Sequence, residues 1–186
     1  ESANSGAIVD LVLGPSILDC THTNIKVHRV QSANEMFVKV DDLFSESDIS
    51  IFTAAVADYA PKSKELQKIK KKNDSMSLEL EQTKDILALM SSRKKASQFV
   101  VGFALETENE IENAKSKLIS KNLDMIVMNS LNNKGAGFEF NTNKITIIDK
   151  TNSITDFKLK DKKEVAKDII KTILKQIKFL KFLYLF

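Results

Sequence analysis

A single cysteine, Cys20, leaves this 186-residue chain without an internal disulfide and without the thiolates a Cys-rich zinc site needs. A lone thiol suits a reducing compartment, and a cytoplasmic location is the expectation. Histidine is almost as scarce. His22 and His28 fall in a loop and a strand, where structural or solvated roles are the rule, and neither is assigned a function. There is no Ser/His/Asp arrangement, no supported pair of catalytic carboxylates and no GxGxxG turn. These absences weigh against a hydrolase and against a standard dinucleotide-dependent dehydrogenase. Long apolar runs are missing too. The nearest, residues 173–186, is interrupted by Lys175, Lys178 and Lys181, so it is too short and too charged to span a membrane. No basic region precedes an apolar stretch at the start, so no signal peptide is read there. Charge of one sign is not in excess: 28 Lys and Arg against 25 Asp and Glu give a formal +3, which argues for neither nucleic acid nor membrane as a partner.

What is present is the composition of an ordinary globular domain, with 42% hydrophobic and 28% charged residues and enough length for one core. Short β-branched runs alternate with helical patterns, the signature of βα units and a mostly parallel sheet. Strands are predicted at residues 7–13, 25–30, 48–55, 77–81, 99–104, 125–128 and 144–148. Ser32 and Glu35 form a capping box that opens a helix, and Thr107 with Glu110 forms a second, opening a helix to about residue 122. Thr83 is expected to cap a helix over 84–94, and Asp161 with Glu164 to open the last one. The lysine-rich stretch 59–74 has no apolar period and reads as a long loop. Residues 1–150 are read as one α/β domain and 151–186 as its helical C-terminal segment.

Three features carry chemistry. Phe52, Thr53, Ala54, Ala55, Val56, Ala57 and Asp58 put small side chains at the carboxyl end of a buried strand, where ligands of open α/β sheets bind. Asp58 could accept hydrogen bonds from a sugar or base; alternatively the alanines serve tight packing and Asp58 a turn. The run Lys68-Ile69-Lys70-Lys71-Lys72 is a solvated face on local grounds, but its position just after that strand end also suits a polyphosphate. Lys117 and Lys121, four residues apart, share a helix face, either as phosphate ligands or as surface partners for Glu108, Glu110 and Glu112.

In order along residues 5–150, the strings AAVADY (54–59), KIKK (68–71), TKDIL (83–87), VGFALET (101–107) and Gly137-Phe138 resemble the phosphopantothenate–cysteine ligase family, the C-terminal half of a bifunctional decarboxylase–ligase. The resemblance implies a Rossmann-like three-layer domain with a mostly parallel sheet. It implies a ligase that joins 4'-phosphopantothenate to L-cysteine with CTP through an acyl-cytidylate, releasing pyrophosphate and then CMP. Nucleotide contacts carry over to Phe52, Thr53, Ala54, Asp58, Lys68, Lys84, Asp85, Ile86, Leu87, Phe103, Lys117 and Lys121. Lys68 takes the catalytic role of stabilising developing charge and assisting the second step, and Phe103 could pack on the cytosine ring. Magnesium would come with the triphosphate, no metal site is assigned to the protein, FMN would matter only for a fused decarboxylase half, and a homodimer is expected. Two departures stand out. Lys84 replaces a usual proline, which alters how its helix begins. The chain opens on Glu1 rather than methionine, and the family's first strand, glycine-rich turn and asparagine-bearing Ser-Ser-Gly segment are expected to be missing. For this polypeptide weak CTP binding without turnover is therefore the expectation. The rivals are a Rossmann-like domain for a nicotinamide or flavin nucleotide, which a GxGxxG turn would mark, and an inactive ligase fragment.

Overall fold

In a computed structural model of the chain, residues 1–63, 67, 69, 76–130, 132 and 140–183 are described, with side chains to residue 178. After one 3-10 turn at Ala3–Ser5, the order is β1 (Val9–Leu13), β2 (Ile25–Arg29), α1 (Ala33–Phe44), β3 (Ile49–Phe52), β4 (Tyr59–Pro61), β5 (Leu80–Gln82), α2 (Ile86–Ser92), β6 (Phe99–Glu106), α3 (Glu110–Ser120), β7 (Met125–Ser130), β8 (Thr142–Asn143), β9 (Ile145–Asp149), β10 (Ile154–Asp156), β11 (Lys160–Asp161) and α4 (Lys162–Leu183).

The main sheet has the order β10-β9-β7-β6-β3; β3, β6 and β7 run parallel, and β9 and β10 add two antiparallel strands at one side. Its central strands alternate between two cores. Val100, Ala104, Ile126 and Met128 pack with Phe44 of α1, Ile86 and Met90 of α2, and Ala114 and Leu118 of α3. Phe99, Val101, Met125, Val127, Ile145 and Ile147 pack with Val165, Ile169 and Ile173 of α4. Period-two alternation on strands thus meets helices on both faces, giving three layers. Gly102 of β6 sits where a Cβ would lie 2.7 Å from Leu123 and 3.1 Å from Leu87, so the missing side chain lets α2 and the segment before β7 close on the sheet.

The sheet is not continuous. β1 and β2 form a separate parallel pair, with Val9 opposite Ile25 and Leu13 opposite Arg29. α1 is held as expected: Ser32 Oγ accepts from the Glu35 N–H at 3.2 Å, and Glu35 accepts from the Gln31 N–H at 2.9 Å.

Several expectations are corrected. Thr83 does not cap α2; Asp85 does, accepting from the Ala88 N–H at 3.0 Å, and the helix covers Ile86–Ser92 rather than 84–94. The Thr107–Glu110 box does not form. Asn109 sits at that N-cap in the left-handed region at φ 45°, and Glu110 instead accepts from Ser130 and Asn132. The stretch expected as a loop from residue 59 begins with β4, which pairs antiparallel with β5 (Leu80–Gln82), the strand predicted at 77–81. Residues 151–161 hold two short strands before α4 begins, and β10 belongs to the main sheet. Lys68, Lys70, Lys71, Lys72, Gly137 and Phe138 lie outside the described residues.

Candidate functional site

β3 ends at Phe52, and the chain then runs through Thr53, Ala54 and Ala55 with exposed, short side chains. Small residues here leave backbone open at the carboxyl end of a sheet strand, which is where α/β sheets present ligand sites. Opposite stands the turn that enters α2. Two bonds tie the walls together: the Thr83 N–H donates to the Asp58 carbonyl at 2.9 Å, and Thr83 Oγ1 donates to the Ala57 carbonyl at 2.5 Å. Thr83 therefore fixes the distance between the strand end and the N-terminus of α2.

The space between is a cavity of about 370 Å³. Its walls include Phe52, Thr53, Ala54 and Asp58 from the strand end, Lys84, Asp85, Ile86 and Leu87 from the helix entry, Phe103 from β6 and Lys121 from the end of α3. These are ten of the twelve positions assigned from the resemblance, gathered from four separate segments. Lys117 is not among the lining residues. Its ammonium lies 2.6 Å from the Glu106 carboxylate, which is buried at the end of β6. Lys68 lies outside the described residues. Of these lysines, then, Lys121 lines the cavity, Lys117 is paired beside it, and Lys68 is outside the described residues.

The charged lining of the cavity is acidic by one rather than cationic: Asp10, Asp58 and Asp85 stand against Lys84 and Lys121. Lys121 Nζ lies 2.9 Å from Asp85 Oδ2, and Lys84 Nζ sits 4.0 Å from the centre of the Phe37 ring on α1. Burial pushes the Asp85 carboxyl up, but the Ala88 N–H and the Lys121 ammonium outweigh it and leave its pKa below the usual carboxylate value. Both cations are thus held at the rim by weak, exchangeable partners. An arriving phosphate could take over either ammonium without leaving a deeply buried charge behind. Among the described residues no group of three His, Cys, Asp or Glu side chains converges as a metal cage.

Residue types alone did not reveal Thr83 as the tie between the walls, nor the walls that β1 and α1 supply: Asp10, Leu11 and Val12 from one, Met36, Val40, Leu43 and Phe44 from the other. Their signal is purely spatial. A second cavity of about 350 Å³ lies at the far side, lined by Glu110, Ser130, Asn132, Thr146 and Asp156 among others. Its polar groups already bond one another: Ser130 and Asn132 to Glu110, and Thr146 to Asp156 at 2.6 Å. Among the described residues no helix is long and apolar enough to cross a membrane.

With this geometry in place, known proteins give context. The family model for the DNA/pantothenate metabolism flavoprotein C-terminal domain matches residues 1–177. A relative from an unknown prokaryotic organism, named cysteine/cysteine sulfinic acid decarboxylase, is 52% identical over 173 residues, 93% of this chain and 48% of that protein. The coenzyme A biosynthesis bifunctional protein CoaBC of Bacillus subtilis (strain 168) is 41% identical over 168 residues, 90% of this chain and 41% of that protein. The chain thus spans less than half the length of these curated relatives. A crystal structure of the C-terminal domain of a CoaBC protein superposes with a TM-score of 0.78 at 35% identity, covering 95% of this chain and 78% of that one. A DNA/pantothenate metabolism flavoprotein from Streptococcus pneumoniae, 18% identical, shares the fold with a TM-score of 0.77 over 94% of this chain and 83% of that one.

Proposed function

The chain belongs to the DNA/pantothenate metabolism flavoprotein C-terminal domain family, and from that premise we propose that it is the nucleotide-binding part of a CTP-dependent phosphopantothenate–cysteine ligase. One observation carries the proposal: the strand end at Thr53–Asp58, the entry to α2 and Lys121 surround a single cavity at the carboxyl end of β3.

In this reading the triphosphate lies between the exposed Thr53–Ala54 backbone and the α2 entry. Its oxygens replace Asp85 as the partner of Lys121 and draw Lys84 off Phe37. The phosphopantothenate carboxylate attacks the α-phosphorus, a P–O bond forms, and pyrophosphate leaves. The cysteine amine then attacks the acyl carbon, an amide forms, CMP departs, and the amine proton passes to solvent. Charge grows on the phosphorus centre in the first step, so preorganised ammonium groups matter most there; losing one such contact costs about 3 kcal/mol of barrier. Magnesium enters this proposal bound to the triphosphate, as its counter-ion. Lys68, assigned from the family resemblance, assists the second step in this proposal. A homodimer is part of the same proposal, to be checked by light scattering.

The test is calorimetric titration of CTP, ATP and NAD into the chain and its Lys121→Met variant. CTP should give the largest heat, and the variant should weaken it about tenfold, the loss of one charge-assisted contact of roughly 1.4 kcal/mol. Equal heats for all three nucleotides, or a variant indistinguishable from the parent, would remove the assignment. The 52% identical relative bears a decarboxylase name, so CO₂ release from cysteine belongs in the same assay series. Carboxyl loss without nucleotide dependence would favour that activity instead.

A further inference from the structure

The charge of the chain is unevenly placed. Residues 162–186 hold seven lysines against Glu164 and Asp168, whereas residues 1–161 hold 21 basic and 23 acidic side chains. The whole positive excess therefore sits on α4 and the few residues after it. Averaged over the chain it shrinks to +3, so bulk composition hides it.

α4 keeps these charges on one side. Val165, Ile169 and Ile173 pack against the sheet, so the opposite side of the helix meets solvent. Lys163, Lys167, Lys171, Lys175 and Lys178 are all exposed there, at steps of three or four residues. At 1.5 Å per residue that ridge runs about 22 Å along the helix. Acids barely interrupt it. Glu164 bonds Lys167 at 2.7 Å, Glu1 lies within electrostatic reach of the same ammonium, and Asp168 turns to Lys160 at 2.6 Å. Among the described residues, Lys163, Lys171, Lys175 and Lys178 have no carboxylate partner.

We propose that this face of α4 docks on an anionic lipid membrane, with the helix lying flat along the surface. Charge complementarity selects a polyanion, and it excludes a second copy of the same face because two lysine ridges repel each other. Among polyanions, the sequence beyond the ridge selects lipid. Residues 179–186 are three phenylalanines, three leucines, one tyrosine and Lys181, and their side chains lie outside the described residues. Leucine has no stacking face to offer a nucleobase, whereas leucine and aromatic side chains both gain at a headgroup–acyl boundary. A lysine ridge joined to an apolar segment supplies the two signals that membrane anchoring takes. The contact is superficial, since among the described residues no helix is long and apolar enough to cross a bilayer. α4 covers the face of the sheet opposite α1, α2 and α3, so docking leaves the cavity between β3 and α2 open.

The test mixes the 186-residue chain with vesicles of phosphatidylcholine alone, or of equal parts phosphatidylcholine and phosphatidylserine. The chain should sediment with the mixed vesicles, stay in solution with the neutral ones, and be released by salt. Combining Lys163→Gln, Lys171→Gln and Lys175→Gln alters only exposed positions without carboxylate partners. That variant should bind about a hundredfold more weakly, at roughly fivefold per lysine. The chain has no tryptophan, so Phe186→Trp supplies a single indole whose emission should shift to the blue with the mixed vesicles alone. The salt and indole readouts involve no lysine substitution, so they decide the matter even if the triple variant melts earlier. Absent binding, equal binding to both lipids, or a well-folded triple variant that binds like the parent would each overturn the proposal. So would tighter binding to a DNA oligomer than to the mixed vesicles, with unshifted indole emission. Because no nucleotide is present, this outcome is separate from the fate of the ligase assignment.

Discussion

Asp85 and Asp124 make ion pairs of nearly the same length, 2.9 Å to Lys121 and 2.8 Å to Lys94, yet they serve different ends of the molecule. Asp124 side-chain exposure is 6%, and it also accepts from the Val100 N–H at 2.9 Å and from Lys150 at 3.2 Å. It pins the start of β6 to the residue that leads into β7. Asp85 keeps 48% side-chain exposure at the cavity rim, with one backbone donor and one lysine. Chemistry is shared; burial is not. A buried, fully bonded carboxylate cannot release its lysine cheaply, whereas a half-exposed one can hand its lysine to a ligand. The difference explains why only the second pair suits a site.

The comparison can be broken at several points. Asp124→Ala leaves the Val100 N–H and the Lys94 ammonium, 14% exposed, without their partner, and should lose about 3 kcal/mol in chemical denaturation. Gly102→Val drives a branched side chain into Leu123 and Leu87, and should cost about 2 kcal/mol while narrowing the cavity wall that Leu87 forms. Asp85→Ala removes a helix cap and should cost about 1 kcal/mol, measured the same way. Freed of its partner, Lys121 should bind inorganic triphosphate no more weakly than before. If Asp85→Ala proves as damaging as Asp124→Ala, the distinction between anchor and rim fails. The smallest effect is on pH dependence. Asp85 has a lowered pKa when folded, so its stabilising contribution is complete above the unfolded aspartate value of about 3.9 and is lost as pH falls through the lower native value. Lys121→Met should raise that native value toward the unfolded one and flatten the acid limb of a stability–pH curve. An unchanged limb would show that the Ala88 N–H alone sets the shift.

Much of this architecture is legible in residue order. Buried strands announce themselves by continuous apolar runs at 99–104 and 125–128, and α1 by its Ser32–Glu35 box, because those signals are local. The short strands β8, β10 and β11 are not legible: two or three residues carry too little pattern, and their pairing is set by neighbours already in place. Thr83 looked like a cap because threonine favours that role, but Asp85 two residues later competes better and frees Thr83 to bond residue 57. The Thr107–Glu110 box lost to contacts with Ser130 and Asn132, which lie some 20 residues further along and carry no local mark.

By itself the order of residues determined the alternation of strand and helix, the two-faced core, the small-residue strand end at Thr53–Ala55 and the membership of a family. Hydrophobic periodicity and side-chain size act over a few positions, so they survive in one dimension. Only the tertiary structure decided that Lys121 faces the cavity while Lys117 turns to Glu106, and that β1 and β3 belong to separate sheets yet line the same cavity. Those outcomes depend on which distant segments meet. That is settled by packing and backbone pairing across the whole chain, where no local pattern can reach.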